Sequence, residues 1–132
     1  MPIRVRALLG EGRAAEAWEL FTTLPDDSRS PAIDVRSAYL LARSALAAAA
    51  RHYDDSRRDL EQVVRDSRAA GRRLEELDAR LALGALELDA GETHRAAARA
   101  QEVASEARRL GLGLFDSRLR PIDAALTRLV AR

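Results

Sequence analysis

The sequence contains no cysteine, no lysine and no asparagine, and aromatic residues make up only 4% of its 132 residues. Without cysteine the chain can form neither a disulfide nor a thiolate metal site or nucleophile, which agrees with a reducing compartment. We therefore expect a cytoplasmic protein. Because aromatics are scarce, the core must be built from leucine, alanine and valine, a mixture that favours helices.

Long apolar runs and an excess of charge of one sign are also missing. The longest apolar stretch, 45–50, is far shorter than the roughly 18 residues of a membrane span, and the N-terminus has no signal-peptide core. The 22 basic and 21 acidic side chains nearly cancel, to a net charge of +1. A basic patch for nucleic acid is not implied by that balance. We expect no membrane segment and no nucleic-acid partner.

Groups that enzymes use are sparse and scattered. His52 and His94 lie near turns, about forty residues apart, without a second histidine or a carboxylate at metal-ligand spacing. Acidic pairs at 26–27, 54–55 and 75–76 lie in a loop or at helix starts, where acids complement the helix dipole. No serine lies in a nucleophile-elbow pattern. We therefore predict no enzyme, no metal and no cofactor.

Helical periodicity dominates the chain, since leucines recur at intervals of two to four residues over 74–88 and no useful strand alternation is present. Helix-breaking glycine and proline residues divide the helices. Their positions predict a short helix before Gly10, one from Gly12 to about Leu24, helices over 33–51 and 55–70, and a loop at 25–31.

Glycine and proline also mark the later helix ends. Gly71, Gly91 and Gly111 are placed as C-terminal caps, because glycine enters the left-handed conformation without a Cβ penalty. Pro121 either kinks the last helix or lies in its first turn. The sequence leaves both alternatives open.

A repeat becomes visible when the chain is aligned on Ala17, Ser56 and Ala96, which are 39 and 40 residues apart. Twelve residues before the last of these lies Gly84, in the middle of a helix, where glycine costs about 1 kcal/mol relative to alanine. We expect Gly84 and Ala96 to face one another where two helices approach closely, which would offset that cost. A period near 40 with paired helices indicates a solenoid of helical hairpins.

The Leu83-Gly84 pair, the turn residue Gly91 and the small residue Ala96 resemble the tetratricopeptide repeat (TPR), in the longer form found in bacterial regulatory proteins. Arg51 lies where the preceding repeat would have its turn glycine. The resemblance implies an all-α domain over 1–132, built as a right-handed superhelical stack of antiparallel helix pairs. Its repeats are about 3–25, 33–71 and 73–110, followed by a capping helix at 112–132.

In this family the first helices of successive repeats line a concave groove that holds a peptide or a partner helix. The resemblance places seven residues there: Leu41, Ala45, Ala48, Leu81, Ala85, Leu88 and Asp89. This lining is small and apolar with an acidic edge, which suits an amphipathic helix or apolar peptide. We therefore expect a protein-interaction scaffold whose partner is another protein, a peptide or another part of a parent protein. The lysines and asparagines of carboxylate-clamping TPR domains are absent.

Two other functions stay open. The chain could be a regulatory or sensor domain of a larger bacterial transcription regulator or signalling protein. It could also be a self-association module, and thus a homo-oligomer, because the first repeat has only Ile3–Leu9 for its leading helix. Trp18 and Phe21, three residues apart, are interpreted as core or interhelix packing rather than a ligand site, and the arginine run over 57–73 as an ion-paired, solvated surface.

Overall fold

The structure, a computed structural model, describes residues 1–113 and 115–130. These residues form helices and no strand, so the all-α class is confirmed. The helices are α1 (Pro2–Gly10), α2 (Ala14–Thr22), α3 (Ile33–Ala49), α4 (Tyr53–Ala69), α5 (Arg73–Asp89), α6 (Thr93–Arg109) and α7 (Phe115–Val130). Positions 114, 131 and 132 of the predicted capping segment lie outside the described residues. No helix in the described part is both long and apolar enough to cross a membrane.

The four central helices, α3 to α6, are 17 residues long and begin every 20 residues along the chain. The turns that end α3 to α6 share one hydrogen-bonding pattern. In the turn after α4, Gly71 N–H donates to the Arg68 carbonyl (3.1 Å) and Arg72 N–H to the Ser67 carbonyl (2.8 Å). This is the Schellman arrangement, which needs a left-handed residue. The predicted glycine caps are confirmed, since Gly71, Gly91 and Gly111 all have positive φ.

Arg51 occupies the left-handed position of the turn after α3, with φ of 62°, and is exposed. A side chain with a Cβ is strained in that conformation, whereas glycine enters it freely. We expect Arg51→Gly to raise the free energy of unfolding by about 0.5–1 kcal/mol, as measured by urea denaturation. The matched control Arg65→Gly, on the exposed face of α4, should lower it by about 1 kcal/mol. Equal losses in both variants would show that the turn at Arg51 is unstrained.

Each helix packs against the next one along the chain, and α1 also contacts α3 while α5 contacts α7. One core cluster joins α1, α2 and α3 around Val5, Ala17 and Ala42. A second joins α5, α6 and α7 around Leu77 and Val103. Smaller clusters between α3, α4 and α5 connect the two, so the core continues from helix to helix.

Small residues meet where α3 crosses α4, whereas Gly84 of α5 has larger side chains as neighbours. Between α3 and α4, Ser56 Oγ donates to the Ser44 carbonyl at 2.8 Å, both residues being buried. A Cβ built on Gly84 would instead lie 3.6 Å from Ile122 Cδ1 and 3.8 Å from Arg99 Cδ, which are ordinary contact distances. Ala96 contributes no atom within 4 Å of that position, so contact with Ala96 is not what requires a residue without a side chain at 84, and the site has room for a methyl group.

Pro121 lies inside α7, which begins six residues earlier, at Phe115. The alternative in which the helix starts at the proline is therefore wrong. Two side chains that flank the proline, Leu119 and Ile122, are buried in the second core cluster, so this part of α7 faces α5 and α6.

Candidate binding surfaces

Five of the seven predicted groove residues lie around one open depression of about 170 Å³ between α3 and α5. They are Leu41, Ala45, Ala48, Ala85 and Asp89. The depression is also lined by Arg6 of α1, Ser44 of α3, Ser56 and Leu60 of α4, and Ala82 and Leu86 of α5. Ala85 is exposed, and the three α3 residues are half-buried. We call this area the α3/α5 surface.

The two remaining predicted residues lie elsewhere. Leu81 is only 8% exposed and belongs to the core cluster that contains Leu119 and Ile122 of α7. Leu88 is half-buried and packs against the same cluster. The structure thus places both leucines at the contact of α5 with α6 and α7 and not on the α3/α5 surface.

A larger cavity, of about 540 Å³, lies between α2, α3 and α4. Its apolar lining comes from Trp18, Phe21, Leu46, Ala47 and Ala50. Phe21 packs against the first core cluster, as predicted, and its ring centroid is 5.1 Å from that of Tyr39. Trp18 is 57% exposed, so its interpretation as a packed residue is wrong. We call this space the Trp18 cavity.

An ion pair forms one wall of the Trp18 cavity. Arg43 donates to both carboxylate oxygens of Asp59, at 2.8 and 2.9 Å, and its guanidinium lies 5.5 Å from the centroid of the Tyr39 ring. The hydrogen bond to Asp59 raises the pKa of Arg43 above its ordinary value. Burial raises the pKa of Tyr39. The pair also lines a more polar depression of about 690 Å³ beside the loop at 25–31, and so separates the two spaces.

The groove between α4 and α6 is a depression of about 320 Å³ that is lined mostly by charged side chains. Glu87 of α5, only 1% exposed, accepts a hydrogen bond from Arg99 Nε at 2.6 Å. Arg57 Nη1 of α4 lies 3.7 Å from the other oxygen of the same carboxylate. One buried acid therefore links three successive helices, α4, α5 and α6.

No cluster of three or more histidine, cysteine, aspartate or glutamate side chains that could hold a metal occurs among the described residues. His52 precedes α4 directly and His94 is the second residue of α6, both exposed. The acidic pairs at 54–55 and 75–76 lie in the first turns of α4 and α5, as predicted. Comparisons of the chain with protein-family models, with curated proteins and with solved structures find no match.

Proposed function

We propose that this chain is a non-enzymatic protein-interaction module that holds an amphipathic helix of a partner protein against the α3/α5 surface. We further propose that α3/α4 and α5/α6 are TPR-like repeats of a right-handed superhelix in which α7 is the cap. The equal helix lengths, the 20-residue spacing and the recurrent turn support this arrangement. Contacts between α1 and α3 and between α5 and α7 also support it, since they join helices that are next but one in sequence.

The observation that carries the function is the strip of small residues on two neighbouring helices. Ala45 and Ala48 of α3 and Ala82 and Ala85 of α5 line the same depression. The distance between packed helices depends on the side chains at their contact, so alanines let the backbone of a docked helix approach closely. Such a helix would use its own larger apolar side chains to fill the depression.

The charges at the edges of the α3/α5 surface specify the partner further. Arg6 and Asp89 line the depression from α1 and from the end of α5, and both are exposed. A partner helix with an acidic residue near Arg6 and a basic residue near Asp89 would complement both charges. Complementary edge charges set the orientation of a bound segment more than its affinity.

Ala85→Arg should abolish capture of the partner, because it places a charged side chain in the middle of the apolar strip. The wild-type chain, Ala85→Arg and Ala98→Arg would each be used for affinity capture from a bacterial lysate. Ala98 is an exposed alanine of α6, so it controls for the added charge. A partner retained by the wild type and by Ala98→Arg should be reduced at least about tenfold with Ala85→Arg, which corresponds to about 1.4 kcal/mol.

The helicity of all three chains would be compared by circular dichroism. Ala85 is exposed, so the arginine variant is expected to keep the fold. The binding segment of the captured protein would then be synthesised and tested with the purified chains. Equal retention by all three chains, or a segment that binds without forming a helix, would contradict the proposal.

A further inference from the structure

The Trp18 cavity and the groove between α4 and α6 occupy equivalent places one repeat apart. Ala47 lies forty residues before Glu87, and Asp59 lies forty residues before Arg99. Trp18 precedes Arg57 by 39 residues, the same step that separates Ala17 from Ser56. Each of these three groups, which line the later groove, therefore has a counterpart of different chemistry in the earlier one.

These substitutions make the earlier groove larger and more apolar: the later groove is a depression of about 320 Å³ among charged side chains, against about 540 Å³ for the Trp18 cavity. Where Glu87 joins Arg57 and Arg99 in the later groove, Ala47 leaves the floor apolar and without a carboxylate. Asp59 accepts a hydrogen bond from Arg43 of α3 instead. The result is a cavity of about 540 Å³, within the range of about 300–1,000 Å³ of small-molecule sites.

The charges around the Trp18 cavity cancel. Arg43 pairs with Asp59, and Arg58 lies 3.3 Å from the carboxylate of Asp55. Two arginines and two aspartates therefore leave the lining without a net charge that would concentrate anions or cations. Walls from α2, α3, α4 and the turn at His52 enclose the space on several sides, which suits a compact ligand better than an extended chain.

We propose that the Trp18 cavity is a binding site for a small, uncharged aromatic molecule, which packs against Trp18 above the floor formed by Ala47. Aromatic side chains contribute large apolar areas and prefer aromatic neighbours in offset or tilted arrangements. Trp18 and Phe21 already form such a pair, with ring centroids 6.3 Å apart and planes inclined by 30°. A bound ring extends this cluster and covers the exposed tryptophan. The site is separate from the α3/α5 surface and does not depend on the function proposed for it.

Trp18 is the single tryptophan of the chain, so its indole N–H gives one side-chain signal in a ¹⁵N-correlated NMR spectrum. Unlabelled indole, benzoate and benzylammonium would be titrated separately into the labelled full-length chain. We expect indole to shift the Trp18 signal saturably and to bind more tightly than either charged probe. Benzoate or benzylammonium binding as tightly as indole, or the absence of a saturable shift with indole, would overturn the proposal.

A variant that fills the floor tests the location of the site. Ala47→Leu should weaken indole binding at least about tenfold, whereas Ala85→Leu on the α3/α5 surface should leave the dissociation constant unchanged. The backbone signals of each variant report whether the fold is retained. Ala50→Leu, at the exposed end of the same floor, takes the place of Ala47→Leu if that variant unfolds. Unchanged indole affinity in a folded floor variant would place the binding elsewhere.

Discussion

Replacing Glu87 by alanine should lower the free energy of unfolding by about 3 kcal/mol. The carboxylate is buried, and Arg99 and Arg57 reach it from the helices on either side of α5. Its removal takes away the carboxylate to which Arg99 donates, whereas Arg57 keeps its ion pair with Glu92. Loss of one partner from a buried ion pair costs about 3–5 kcal/mol. Both arginines are partly exposed, so water compensates some of the loss and we expect the lower end of that range.

Urea denaturation followed by circular dichroism measures this change, and Glu92→Ala is its matched control. Glu92 contacts Arg57 at 2.6 Å and Arg95 at 3.0 Å, but its side chain is 31% exposed. Ion pairs in contact with solvent contribute about 0–1 kcal/mol, so the control should lose no more than that. Equal losses in the two variants would mean that burial of Glu87 adds nothing to the link between α4, α5 and α6.

The turns could be predicted from the sequence because their signal is local and has a physical cause. Glycine tolerates positive φ, and Gly71, Gly91 and Gly111 do end helices in that conformation. Arg51 adopts the same conformation, although its residue type gives no such signal. Only its position within the repeat marked it as a turn residue.

The ion pairs were predicted less well, because their partners lie on other helices. In the arginine run over 57–73, ion pairs form at Arg57, Arg58, Arg68 and Arg72. Arg57 pairs with Glu87 and Glu92 rather than with acids of its own helix. Asp66 pairs with Arg36 of α3. Spacing along one helix is visible in a sequence, whereas contacts between helices depend on how each helix is rotated.

The exposure of Trp18 and the burial of Leu81 are both determined by residues that are distant in sequence. Trp18 is exposed beside a space that Ala47, a residue far away in sequence, leaves empty. Leu81 is covered because α7 packs on the side of α5 that carries it. The sequence predicts a capping helix after α6 but does not say which residues of α5 that helix covers. For this reason five of the seven groove residues lie together and two do not.

Replacing Leu119 by alanine should lower the free energy of unfolding by about 3 kcal/mol, because it removes a buried leucine side chain and leaves a cavity. Leu119 is 4% exposed and packs in the cluster that contains Leu77, Leu81 and Val103. It is thus one of the side chains that hold α7 on α5 and α6. Urea denaturation measures the loss, and hydrogen exchange of the α5 amides shows whether α7 detaches before the rest unfolds.

Leu129→Ala is the control from the same helix. It makes the same chemical change at a side chain that is 43% exposed. Its cost should stay below about 1 kcal/mol. A comparably small loss for Leu119→Ala would mean that α7 does not stabilise the contact with α5. Leu81 and Leu88 would then be accessible to a partner, and the binding surface would extend from α3 across the full width of α5. A large loss of stability in Leu119→Ala alone would instead restrict the proposed binding surface to the alanines of α3 and α5.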